Sequence, residues 1–226
     1  MSFDTALRAT EILLALALAQ SSLEHLFGMS RDRLLFGLRF LCCLALLAGI
    51  CTGAALIGLM LCALICLHRF QGPYNGGSDK MGVLILACLC VSHFAPTSFW
   101  QEMALAYLAF QVTLSYFVSG HVKLRNPEWR SGRALADVFA FSAYPVGENL
   151  RALADRRSLL HAMSWAVILF EVLFPFALLN TPTLWIALGV AALFHLANAC
   201  LFGLNRFLWI WLAAYPSLLW FQDRVL

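Results

Sequence analysis

Eight apolar segments follow one another along the chain, at approximately 6–27, 34–50, 53–69, 81–96, 103–122, 158–179, 183–203 and 206–222. A helix of about 20 mostly apolar residues crosses the ~30 Å hydrocarbon core of a bilayer. The pattern therefore predicts an all-α fold, a polytopic transmembrane helical bundle of about eight spans. The stretch from Leu34 to Phe70 is too long for one span, and the "GICTG" at Gly49–Gly53 offers a turn that divides it. Read as one helix, the same stretch gives seven spans. The first segment carries Glu11, Gln20, Glu24 and His25 and has a second reading, partly in the membrane interface.

Residues 123–157 break this pattern. They form a polar stretch carrying Lys123, Arg125, Arg130, Arg133, Arg151, Arg156 and Arg157. Within it, "SGRALADVFAFSAY" combines a start signal at Ser131 with helical apolar spacing. That predicts a short amphipathic helix at the membrane interface.

Composition agrees with a membrane-embedded chain. It is 62% hydrophobic and only 12% charged, where a soluble domain carries about 25% charged residues. With eight spans both termini share a side, which holds only Arg8 and Arg224. The other side collects Arg31, Arg33, Arg69, Lys80, Arg206 and the basic residues of 123–157. An excess of Lys and Arg marks the cytoplasmic face, so the basic loops are placed inside and the termini outside. The basic residues sit in short loops beside apolar helices, which argues against nucleic-acid binding and makes the lipid bilayer the expected surrounding. All eight cysteines lie in apolar runs without a CxxC, and no Cys/His spacing fits a metal site. The N-terminus, with Asp4 and Glu11 and a single early Arg8, does not read as a cleaved signal peptide. The whole chain, 1–226, is read as one transmembrane domain.

Ionisable groups inside spans cost about 2.5–3.5 kcal/mol each on insertion scales and are candidates for function. Arg39, His93, Glu171 and His195 stand out, with Asn198 one helical turn after His195 on the same face. Glu171 is a carrier of protons or the partner of Arg39 or a histidine. His195 and Asn198 are a cofactor contact or an interhelical hydrogen-bond pair. His93 and His121 sit near segment ends, and the tryptophans read as an interfacial belt. Lys123 closes the 103–122 segment, where lysines commonly reach for the interface.

Around Lys123 the sequence reads "QVTLSYFVSGHVKLRNPEWRSG", with Tyr116, Phe117, Ser119, Gly120, Lys123, Leu124, Trp129 and Gly132 at the marked positions. A second stretch, "FHLANACLFGLNRF", holds Phe194, His195, Asn198, Leu201, Phe202 and Phe207. A third, weaker one is "YNGGSDKM" at Tyr74–Met81. In this order the three resemble the HTTM family, the membrane domain of vitamin K-dependent gamma-carboxylases and their bacterial relatives. The resemblance implies a bacterial inner-membrane protein with a quinol or vitamin K-like cofactor in the bundle. It further implies that Lys123 is the base that deprotonates the quinol, with His195 beside it in the chemistry. Tyr116, Gly120, Trp129, Glu171 and Asn198 then line the cofactor site. A desolvated amine suits a base, and a flat apolar ring suits an intramembrane cleft lined by aromatics.

The departures from the family shape the alternatives. The animal carboxylases carry a large lumenal domain after the bundle, whereas here the sequence ends just past the last apolar segment. The family's further histidine before the lysine has no counterpart. One expectation is an enzyme modifying a peptide or small substrate. The rival is a non-catalytic membrane subunit, or a maturation or export factor for a secreted peptide. A DoxX-like or MauE-like redox accessory protein is a third reading, with no cysteine motif to support it.

Overall fold

A computed structural model describes residues 1–28, 32–69, 76–141 and 148–225. Arg31, and Tyr74 and Asn75 of the third motif, lie outside the described residues. The helices are α1 (Phe3–Phe27), α2 (Arg33–Ala48), α3 (Thr52–Arg69), α4 (Gly76–Phe94), α5 (Ser98–Arg125), α6 (Pro127–Arg130), α7 (Arg133–Phe141), α8 (Glu148–Arg151), α9 (Arg157–Leu173), α10 (Thr181–Phe202) and α11 (Asn205–Val225). Short 3-10 turns follow α8 at Ala152–Asp155 and α9 at Phe174–Leu179. No strand occurs among the described residues. All eight apolar segments are helical, as their pattern predicts.

Among the described residues, six helices are long and apolar enough to cross a membrane: Phe3–Phe27, Thr52–Arg69, Gly77–Phe94, Ser98–Arg125, Arg157–Leu179 and Thr181–Phe202. The first, α1, is therefore a candidate span. α2 has only 16 residues. α11 is longer but starts with Asn205 and Arg206 and ends near Gln222, Asp223 and Arg224.

The 34–69 stretch is two helices. Gly49 ends α2 with φ +71°, a left-handed conformation that a side chain strains. Ile50 N donates to Ala45 O at 3.0 Å and Gly49 N to Leu46 O at 3.2 Å, which closes the helix end. Arg8 of α1 completes that cap, donating to Leu46 O at 2.8 Å and Leu47 O at 2.7 Å while pairing with Glu11 at 2.8 Å. A cation on the last carbonyls of a helix is also where the helix dipole favours it.

The chain divides into two compact units, one comprising Met1–Phe110 and Arg206–Leu226, the other Gln111–Asn205. In the first, α1 packs against α2 and α4, α2 against α3, and α3 against α4. Its ion pairs sort the helix ends. Arg69 at the end of α3 meets Asp32 before α2 at 2.5 Å, and Arg206 at the start of α11 lies 3.9 Å from Glu24 near the end of α1. The opposite ends are tied by Arg224 with Glu102 at 3.1 Å and by the N-terminal ammonium with Asp223.

In the second unit α7 is the expected amphipathic helix, somewhat shorter than the motif. Leu135 and Phe139, one turn apart, bury against Leu160 of α9 and Phe202 of α10. The Phe139 and Phe202 rings meet edge to face at 5.0 Å. Residues 142–144 of the predicted segment lie outside the described residues.

Candidate functional site

Four residues of α5 form one stripe. Tyr116, Ser119, Gly120 and Lys123 follow i, i+3, i+4 and i+7 and so share a face, with about 10 Å from first to last at 1.5 Å per residue. α9 crosses this stripe at Gly120. A Cβ built there would lie 2.7 Å from both Glu171 Cβ and Val172 N. Only glycine lets the two backbones approach this closely.

That close approach delivers Glu171 to Lys123. Nζ donates to Oε2 at 2.6 Å and to Oε1 at 2.8 Å, and to Ser119 Oγ at 2.6 Å. Ser119 in turn donates to Glu171 Oε1 at 3.2 Å. The Glu171 side chain is 3% exposed and that of Lys123 15%. The sequence left Glu171 a choice between Arg39 and a histidine as partner; the structure gives it Lys123. Arg39 instead donates to Ser22 Oγ and Ser21 Oγ, each at 2.8 Å, in the first unit.

Local chemistry also explains how Trp129 reaches the lysine. Pro127 cannot continue α5, and the residue before it is pushed out of the helical region. Asn126 accordingly turns extended, with φ −86° and ψ 119°, and its side chain accepts from Glu128 N to start α6. The chain doubles back, and the Trp129 ring lies 5.2 Å from Lys123 Nζ, in cation–π range. Two residues of α9 hold the turn down: Ser164 Oγ donates to Trp129 O at 2.5 Å, and Trp165 Nε1 to Arg130 O at 3.1 Å.

At the other end of the stripe Tyr116 meets α10. Its hydroxyl lies 2.8 Å from His195 Nε2. The Tyr116 ring stacks on Phe174 at 4.2 Å, and Phe170 closes on both edge to face at 5.6 and 5.7 Å. Tyr116, Phe174 and His195 are all buried. Asn198 does not join this network; its carbonyl accepts from Leu204 N at the end of α10, and its side chain makes no hydrogen bond among the described residues.

His93 and His121 lie elsewhere. His93 is exposed and packs against Phe94, its Nε2 close to the Cβ position of Gly53. His121 lies on the Phe117 ring at 6.0 Å. Ser164 and the Phe170–Phe174 wall went unnoticed in the sequence, and Ser119 was marked only as a motif position without a role. Its role was detectable, one helical turn before Lys123; the others depend on which helices touch.

The arrangement offers an aromatic wall with a neutral polar pair at one end and an acid–amine pair at the other. The rings of Tyr116, Phe170 and Phe174 pack on one another, and Lys123, Glu171 and His195 are the polar groups beside them. Among the described residues no group of three or more His, Cys, Asp or Glu side chains is placed to hold a metal ion.

Among known protein families, the HTTM domain matches residues 93–223, more than half of the chain and all of the second unit. No curated protein and no solved structure matches.

Proposed function

The chain belongs to the HTTM family of gamma-carboxylase-like membrane proteins, and from that premise we propose that it is a quinol-dependent enzyme with Lys123 as its base. The observation that supports this most is the buried Lys123–Glu171 pair, closed by Ser119 and covered by Trp129. A quinol bound here supplies a hydroxyl proton and, once deprotonated, reducing power toward oxygen.

In the resting pair Lys123 is an ammonium and cannot accept a proton. Shifting one proton from Nζ to Glu171 turns two buried charges into a neutral amine and a carboxylic acid. Two buried charges are costly to keep out of water, so the neutral pair is within reach. The amine then has a lone pair to take a hydroxyl proton, and the new ammonium stands beside Ser119 and the Trp129 face. Tyr116 and His195 hold the far end of the aromatic wall in place. Ser119 orients both Lys123 and Glu171, because its hydroxyl accepts from one and donates to the other.

The same pair also supports a second reading, a non-catalytic membrane subunit or maturation factor for a secreted peptide. There the Lys123–Glu171 contact only locks α5 to α9. We propose a bacterial inner membrane, which the family resemblance implies, with the basic loops cytoplasmic because Lys and Arg are in excess on that side. Lys123→Ala in the native host separates the readings. Loss of the host's product or matured peptide, with normal protein levels, fits the base. Full retention of it overturns the base and leaves the subunit.

A further inference from the structure

The second unit carries a cavity at the start of α9 whose lining shares no residue with the Lys123–Glu171 pair. Its volume is about 470 Å³, within the ~300–1,000 Å³ usual for small-ligand sites. α7, the Ala152–Asp155 turn and the first turn of α9 enclose it. Ala136 and Leu160 give it an apolar floor, and Arg133, Asp137, Asp155 and Arg157 supply its charges. Leu135 and Phe139, packed on Leu160 and Phe202, fix α7 beside α9.

The charges in the lining balance, and half of them are already matched. Arg133 Nε lies 3.3 Å from Glu128 and 3.9 Å from Asp137. Ser131 at the rim is occupied too, donating to Glu128 O at 3.1 Å. Asp155 and Arg157 are exposed and, among the described residues, make no hydrogen bond or ion pair, either with each other or with another group. The cavity therefore offers one open carboxylate and one open guanidinium, with no net charge. Arg130, Arg151 and Arg156 stand outside the lining. Arg156 is the N-cap of α9 and makes no side-chain cap, since a guanidinium has no acceptor. The first N–H groups of α9 thus add to Arg157 as donors for a negative group.

Arg157 also opens a candidate span, Arg157–Leu179, which places the cavity at the depth of lipid head groups. Leu159, Leu169 and Leu173 are exposed along one side of α9 and lead from the cavity into the apolar part of the span. We propose that this cavity binds the head group of a phospholipid with a primary ammonium beside its phosphate, of the phosphoethanolamine type. The phosphate faces Arg157 and the first turn of α9, the ammonium donates to Asp155, and the acyl chains lie along the leucines. A phosphocholine head group has no N–H to give Asp155. An anionic phosphoglycerol head group brings no counter-charge to it. General attraction of a basic segment for lipid favours the anionic head group instead.

The test is native mass spectrometry of the full chain in detergent. It is first equilibrated with equal amounts of phosphatidylethanolamine, phosphatidylcholine and phosphatidylglycerol of the same acyl chains. Phosphatidylethanolamine is expected to be retained about tenfold over each of the others, the worth of one hydrogen bond to a charged group. Asp155→Asn brings it down to the phosphatidylcholine level, and Arg157→Gln lowers retention of all three. Both side chains are exposed, so neither change threatens the fold. Equal retention, or a preference for phosphatidylglycerol, overturns the site, and so does a preference that survives both substitutions. Excess soluble glycerophosphoethanolamine should leave the lipid bound; full displacement by it would overturn a lipid as the occupant.

Discussion

Lys123 Nζ of α5 donates to both carboxylate oxygens of Glu171 of α9, at 2.6 and 2.8 Å, between residues 48 apart in sequence. Removing one member of such a pair leaves the other charge buried and alone, which costs about 3–5 kcal/mol. Lys123→Met and Glu171→Gln therefore each lower the unfolding Tm. The double variant regains most of that loss, since no lone charge remains. Thermal denaturation of all four proteins in one detergent measures this. Additive losses in the double variant would mean that the contact carries no coupling.

The crossing at Gly120 is as demanding as the pair it supports. Gly120→Ala sets a methyl carbon 2.7 Å from backbone and side-chain atoms of α9. We expect a loss of about 1–3 kcal/mol from forced separation of α5 and α9. The proposed activity should fall with it, because Glu171 moves with the helix. Unchanged stability in Gly120→Ala would show that the helices do not approach this closely.

Tyr116→Phe keeps the ring on Phe174 and deletes one hydrogen bond to His195 Nε2. The expected cost is about 1 kcal/mol or slightly more, the usual worth of a buried hydrogen bond. His195→Phe in the same background should then add less than it does alone. A double-mutant cycle on unfolding gives the coupling directly, and a value near zero would dissolve the pair.

Membrane orientation is open to a separate experiment. With basic loops inside, both termini face outward, and a C-terminal alkaline phosphatase fusion is active while a cytoplasm-dependent fluorescent fusion is dark. The reverse pattern would invert the proposed orientation without touching the Lys123–Glu171 geometry.

Much of this was legible in the sequence, for identifiable reasons. Apolar runs set the helices, and Gly49 set the break between α2 and α3, because both are local properties of chain and solvent. The residues of the stripe from Tyr116 to Lys123 were marked by the family resemblance, and helical periodicity puts them on one face. The role assigned to Trp129 came from resemblance, since by composition it was one more interfacial tryptophan. What the sequence left open was which faces meet. Glu171 had several basic residues within plausible reach, and only the close crossing that Gly120 permits selects Lys123. For the same reason His195 was grouped with Asn198 on its own helix, while its hydrogen bond runs to Tyr116 on another.

We propose that the stripe between Lys123 and His195 holds a quinol. The most direct measurement is organic extraction of the purified full chain, isolated from its native membrane, with quantification of quinone by chromatography and mass. The expected result is a near-stoichiometric quinone in the unaltered protein, reduced about tenfold or more in His195→Ala and in Lys123→Ala. No quinone in the unaltered protein, including after incubation with excess naphthoquinol, would contradict it.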